Sequence, residues 1–269
     1  PTSFKTSADT NTAALNFLIN QHGLEFPLVA KPDNAERGKD VAVIYSIEDL
    51  TTYCNNSRFK DILIQQFCKL EKEAGILLYK LPDESRFEIT SITEKKFCEV
   101  LGDGQKTFGE LIENNPRIKH RIDVLQRRFA SSWNQVLPEG ESRLIEPIGS
   151  HNLGTEFRDA RIRISPELTT LLKQWSDQLP GFYYGWFDIK FKSREALQKG
   201  EDFKIIEVNG VNSEPTHIYE PSYSLLKAYR DIFHHMEIIY EISEMNLALG
   251  YKTVPLKKFA SGIIRVVTL

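Results

Sequence analysis

A chain of 269 residues, 41% hydrophobic and 26% charged, carries enough apolar side chain for one large core or two joined ones. Its net charge of −3 excludes the basic footprint of a nucleic-acid or anionic-membrane binder. No apolar run approaches the roughly 18 residues of a membrane-spanning helix, and "PTSFKTSADTNTAALNF" lacks the basic start and apolar stretch of a signal peptide. Cys54, Cys68 and Cys98 stand singly with no CxxC pair, so the expectation is a cytoplasmic protein with reduced, structural thiols.

In chain order, "FPLVAK" (residues 26–31) reads as a strand closed by Pro32. The polar loop "PDNAERGKD" leads from it into a second strand, "VAVIYS", and the two form a hairpin with an extended tip. Ser46 with Asp49 starts a helix whose one face carries Leu50, Tyr53 and Cys54, and "DILIQQF" follows as a short buried strand. "AGILLYKL", "RFEITSIT" and "KKFCEVLG" read as a meander. Thr107 and Glu110 make a capping box for a short helix ended by Asn-Asn-Pro. Residues 117–140 read as charged and helical, and "ESRLIEPIG" as a strand. Ser165 caps a helix with Pro166 in its first turn and an apolar stripe of Leu168, Leu171, Leu172, Trp175 and Leu179, stopping at Pro180-Gly181. "FYYGWFDIKF" and "FKIIEVNG" form a last strand pair, then a long helix from about residue 222 to 247 and a β-like tail, "GIIRVVTL". Hairpins, meander and flanking helices make an α+β chain, and neither GxGxxG nor a P-loop occurs.

The chemistry gathers on the last strand pair. If its turn centres near Leu197 and Gln198, Asp188 falls opposite Glu207, and Asn209 shares their face. Two carboxylates and an amide oxygen so close repel unless a cation lies between them, and an all-oxygen set favours Mg²⁺, with Mn²⁺ as the alternative. Mg²⁺ held by few protein oxygens completes its shell with water and phosphate oxygens, which points to a nucleoside triphosphate. Alternating acids also mark a solvated strand face; the apolar runs beside them favour central strands. Lys31 ends a buried strand behind the loop "ERGKD", whose backbone N–H groups can cover polyphosphate, although such a charged tip is also what a solvated hairpin presents. "LIQQF" offers an apolar edge for adenine, and Glu73 an acid for ribose hydroxyls.

The order "PLVAKP … RGKDV", "ILIQQF … E", "DIK … IIEVNG" resembles the ATP-grasp superfamily of carboxylate–amine ligases over about residues 25–245. "GDGQKTFGELIE" is similar to the segment that cyanophycin-synthetase-like members carry between the halves of the grasp. "EAGILLYKLP", "SITEKKF" and "NGVNSEPTHIYEP" look like a bacterial group without a settled substrate. The resemblance implies two α+β subdomains gripping ATP: a lead-in over 1–24, a small subdomain over 25–68 and a large one over 69–250 bearing the metal site, with a tail strand over 251–269. The N-terminal domain of many relatives would be absent, minimal or supplied separately.

By the same resemblance Lys31 would bind the α- and β-phosphates, and Arg37, Gly38 and Lys39 would form the phosphate lid. Gln66, Phe67 and Cys68 would meet adenine, Glu73 would hold the ribose, and Asp188, Glu207 and Asn209 would hold one or two Mg²⁺ ions. The substrate carboxylate would attack the γ-phosphate, and an amine would displace phosphate from the acyl phosphate. Ser213, Glu214, Thr216 and His217 stand where relatives place a substrate loop, while Arg158 and Arg161 are candidates to clamp a carboxylate or simply surface ion-pair partners. Ligases of this type often have Arg two positions before the metal Asp. Here that position is Trp186, so Lys190, Arg158 or Lys80 must supply the charge, or the chain is a phosphotransferase or a nucleotide-binding module with impaired catalysis.

Overall fold

The computed structural model describes residues 3–33, 40–147, 149, 151–255 and 258. The first layer is a four-stranded antiparallel sheet in the order β1-β4-β2-β3, built from β1 (Ser3–Ser7), β2 (Leu28–Pro32), β3 (Ala42–Ile44) and β4 (Asp61–Gln66). Two helices, α1 (Thr12–Gln21) and α2 (Ile47–Asn56), cover one face; Leu15, Leu28, Leu50, Ile62 and Ile64 are fully buried between helices and sheet. Ser46 caps α2 by accepting from the Asp49 N–H, and the β2–β3 pair is the expected hairpin. The expected lead-in segment is part of this layer: β1 pairs along β4, and α1 contributes Leu15 and Ile19 to its core.

The second layer is a five-stranded antiparallel sheet, β11-β10-β5-β6-β9. Its strands are β5 (Lys72–Lys80), β6 (Phe87–Lys96), β9 (Glu156–Asp159), β10 (Tyr184–Phe191) and β11 (Phe203–Asn209). One face packs Ile76, Ile189, Phe187 and Phe191 under α5 (Pro166–Asp177) and the short α6 (Arg194–Gln198). Ser165 and Pro166 begin α5 as the sequence predicts, with Leu168 and Leu172 inward and Leu179 beyond its end and exposed. Part of the other face, around Leu77, Tyr79, Tyr184 and Trp186, lies under Ile238 and Ile242 of the long α7 (Leu225–Ala248).

Four expectations need correction. The third strand of the meander, β7 (Cys98–Leu101), leaves the large sheet and pairs with β8 (Ser142–Glu146). These strands join α3 (Phe108–Glu113) and α4 (Ile122–Arg128) around a separate core of Phe108, Ile112, Trp133 and Ile145. Only Lys119–Arg128 of the predicted helical stretch 117–140 is helical. Of the last strand pair only β10 is central; β11 is an edge strand with Glu207 and Val208 exposed. The tail expected as a strand has no regular structure over 251–255, and residues 259–269 lie outside the described residues.

Candidate active site

Asp188 of β10 pairs with Glu207 of β11, and Trp186 with Asn209. Nearer the turn the register differs by one residue, Ile189 opposing Ile205, so Ile206 is an extra residue in β11. That bulge gives Glu207 and Asn209 the same side of the sheet as Asp188. In an unbroken register they would share the side of Phe187 and Ile189, which is packed under α5.

The residues around Asp188 form a compact charged group. Gly75 of β5 lies opposite Asp188, Glu73 opposite Lys190, and Lys95 of β6 opposite Glu73. Lys95 Nζ donates to Glu73 Oε1 at 2.6 Å and to Asp188 Oδ1 at 2.8 Å, with all three side chains nearly buried. Burial alone would lower the Lys95 pKa, but the Asp188 and Glu73 carboxylates outweigh it and hold the ammonium above its ordinary range. Lys190 Nζ stands 3.7 Å from Glu73 Oε2. Trp186 Nε1 donates to Asp188 Oδ1 at 3.0 Å, and its indole lies against Gly75, where a Cβ would come within 1.6 Å of the ring. Gly149 leaves similar room over Glu73, its Cβ position being 2.6 Å from Oε1.

Lys31 of β2 projects from the helix-free face of the small sheet and places its Nζ 3.7 Å from Glu207 Oε2. Gln65 Nε2 donates to the Ile206 carbonyl at 3.3 Å, tying the same face to the bulge. Two hard carboxylates on neighbouring strands, approached by ammonium groups from both sheets, suit a divalent cation and its anionic ligands. Lys95 and Trp186 share one Asp188 oxygen, so the other is left for a cation. Among the described residues no group of three or more His, Cys, Asp or Glu side chains could hold a metal; the set here is two carboxylates and an amide.

Other predicted residues are placed less simply. Arg37, Gly38 and Lys39 lie outside the described residues. The Gln66 side chain is bonded to the backbone of Glu25 and Pro27, Phe67 is half-buried, and Cys68 is a buried free thiol. The Glu73 carboxylate turns inward to Lys95 and Lys190, and so does not present itself to a ribose. Arg158 pairs with Glu156 and, at 3.8 Å, Glu220; Arg161 chelates Asp159 and donates to Tyr223. Lys80 belongs to the Ser176 carbonyl and Asp177 at the end of α5.

In the loop after β11, Ser213 bonds to the Gly210 carbonyl and Glu214 accepts from Tyr219. Thr216 Oγ1 is buried with no hydrogen-bond partner among the described residues. His217 is wholly buried, bridging Ser91 of β6 at 2.8 Å and Asp231 of α7 at 3.0 Å, so it anchors the loop and does not reach a substrate. Burial lowers its pKa and that of His235.

The residue that sequence reasoning missed is Lys95. Its only trace was the repeat of charge in "TEKKF"; its place between two acids depends on the β5–β6 register.

No family model matches the sequence, and no curated protein matches it. Among solved structures, the chain is similar to D-alanine–D-alanine ligase from Bacillus anthracis, with 13% identity over 93% of this chain and 62% of that one at TM-score 0.48. VanG D-Ala:D-Ser ligase from Enterococcus faecalis gives 10% identity over 90% and 56% at TM-score 0.46. A bifunctional glutathione synthetase from Pasteurella multocida gives 13% over 89% and 33% at TM-score 0.44. The chain thus spans between a third and just under two thirds of the length of these three proteins. Likeness at this level leaves the chemistry of the site to the chain's own residues.

Proposed function

We propose that the chain binds Mg·ATP between its two sheets and uses it to activate a small-molecule carboxylate as an acyl phosphate for capture by an amine. The observation that carries this reading is the cross-strand pair Asp188–Glu207 facing Lys31 of the other sheet at 3.7 Å. Asp188 and Glu207, with Asn209 beside them, would hold Mg²⁺, which supplies charge neutralisation at the transferring phosphate. Lys31 would bind the α- and β-phosphates, and Arg37, Gly38 and Lys39, outside the described residues, would be the phosphate lid. Gln66, Phe67 and Cys68 would meet adenine. Lys95 and Lys190 supply the positive charge that Trp186 does not, Lys95 also fixing the angle of Asp188 through its second bond to Glu73. Glu73 serves here as the partner that steadies Lys95. The carboxylate oxygen attacks γ-phosphorus, the bond to the β-bridging oxygen breaks, and ADP leaves. The amine lone pair then attacks the acyl carbon, phosphate departs with the electrons of the broken C–O bond, and the proton lost by the amine nitrogen goes to solvent. Half-buried Ser213 and exposed Glu214, in the loop beyond Gly210, would contact the carboxylate substrate. Positioning and charge supply most of the rate in such chemistry.

Thermal unfolding tests the binding step. Mg·ATP at about a hundred times its Kd should stabilise the protein by about 2.7 kcal/mol, and Glu207→Ala should remove the Mg²⁺-dependent part. An unchanged Tm at saturating nucleotide would refute the proposal. Hydroxylamine offered with ATP and candidate carboxylates separates the outcomes: a hydroxamate reports the acyl phosphate, whereas a stable phosphorylated product reports a phosphotransferase.

A further inference from the structure

Helix α7 has two apolar faces, and the sheet needs only one of them. Ala228, His235, Ile238 and Ile242 point inward and are buried. On the outward side Leu226 (81% exposed), Tyr229 (54%), Phe233 (61%), Met236 (57%) and Tyr240 (66%) follow one another at intervals of three, four, three and four. That spacing is a coiled-coil seam, the pattern by which one helix lies along another over several turns. Scattered exposed apolar residues need no explanation, but five large ones in one stripe do.

The charges beside the stripe specify the occupant. Exposed Arg230, with exposed Lys227 one turn before it, lies beside its first half, and exposed Glu237 and Glu244 flank its second. A helix basic at one end and acidic at the other is complementary to itself when reversed. Laid antiparallel about a twofold axis between Phe233 and Met236, it sets Tyr229 beside the partner's Tyr240 and Phe233 beside the partner's Met236. The same operation brings Lys227 and Arg230 alongside the partner's acidic half. A parallel pair would set like charges together over the whole length. We infer that the outer face of α7 is a dimerisation surface on which a second copy of this chain docks antiparallel through its own α7. The stripe lies on the side of α7 away from the sheet, so the dimer leaves the proposed nucleotide site untouched and does not depend on that reading.

Sedimentation equilibrium of the full chain should show concentration-dependent association to twice 30.9 kDa. Phe233→Glu should weaken it by roughly thirtyfold or more, as loss of an aromatic anchor does. Two charge variants test the orientation. Lys227→Glu with Arg230→Glu makes both flanks acidic, and Glu237→Lys with Glu244→Lys makes both basic. Each should associate more weakly than the wild type on its own, and an equimolar mixture should form a heterodimer. Circular dichroism matching the wild type confirms that the variants fold. A monomer at every concentration overturns the inference. So does a dimer indifferent to Phe233→Glu, or a mixture that fails to pair.

Discussion

Along one side of the large sheet, the same strands carry two different surfaces. Around Leu77, Tyr79, Tyr184 and Trp186 the side chains are apolar and lie beneath α7. Two residues further along β10, at Asp188, they become Lys95, Glu73 and Lys190, and what faces Glu207 is Lys31 of the small sheet. A surface under a helix can be closed by apolar packing alone. A surface left for a polar ligand cannot be, and its acids stay buried only because ammonium groups meet them. Trp186 belongs to both halves: its ring packs with the α7 cluster, and its N–H ends on Asp188.

The contrast can be broken from either side. Lys95→Met should do the most damage, since it leaves Asp188 and Glu73 buried without their shared cation; a loss of about 3–5 kcal/mol is expected in denaturant unfolding. A loss under about 1 kcal/mol would mean that water already solvates these acids. In the apolar half, Ile238→Ala opens a cavity under α7 and should cost about 2–5 kcal/mol, while leaving the Mg·ATP response of the folded protein intact. If that response vanished while the variant remained folded, the two halves would be coupled more tightly than their packing suggests.

The smallest effect is a pH dependence. The pKa values of His217 and His235 lie below the ordinary 6.5, chiefly because burial disfavours the charged rings. Below 6.5 the unfolded chain therefore binds more protons than the folded one, so their contribution is complete above that pH and is lost as pH falls through it. Asp231, held below its ordinary range by Tyr223 and His217 despite burial, adds a loss in the same direction at lower pH. Tm measured from about pH 8 to pH 5 should fall toward acid, and His217→Gln should flatten the decline. A profile that is flat in the wild type would contradict the burial of these rings.

What could be read from the sequence was local. The Ser46, Thr107 and Ser165 caps, the β2–β3 hairpin and the α5 stripe as far as Trp175 depend on residues within a few positions of each other, and these are present. What escaped depends on distant partners. Only Phe4 and Thr6 of β1 turn inward, so its strand nature appears when β4 lies beside it. Lys95 is one more charge in the sequence until β5 sets Glu73 opposite, and His217 reads as a substrate-loop residue until Ser91 and Asp231 close on it. The position of Asp188 opposite Glu207 was read correctly by counting symmetrically about Leu197 and Gln198. Yet the inner pairs, such as Phe191–Phe203, centre on residue 197 alone, and the remaining half step comes from the bulge.

That bulge decides which changes in chain length the site can absorb. The loop between Phe191 and Phe203 stands outside the ladder, so a residue gained there shifts nothing on β11. Loss of Ile206 would merely regularise the strand, with Glu207 still opposite Asp188. Loss of Val208 would carry Asn209 to a place opposite Phe187, on the side packed under α5. Within seven residues, then, the strand has one position whose removal keeps the register at the cost of the Gln65 bond, and another, Val208, whose removal turns a candidate ligand toward the core. A family of such chains would show its length variation at 206 or in the preceding loop, and hold the spacing from Glu207 to Asn209 fixed.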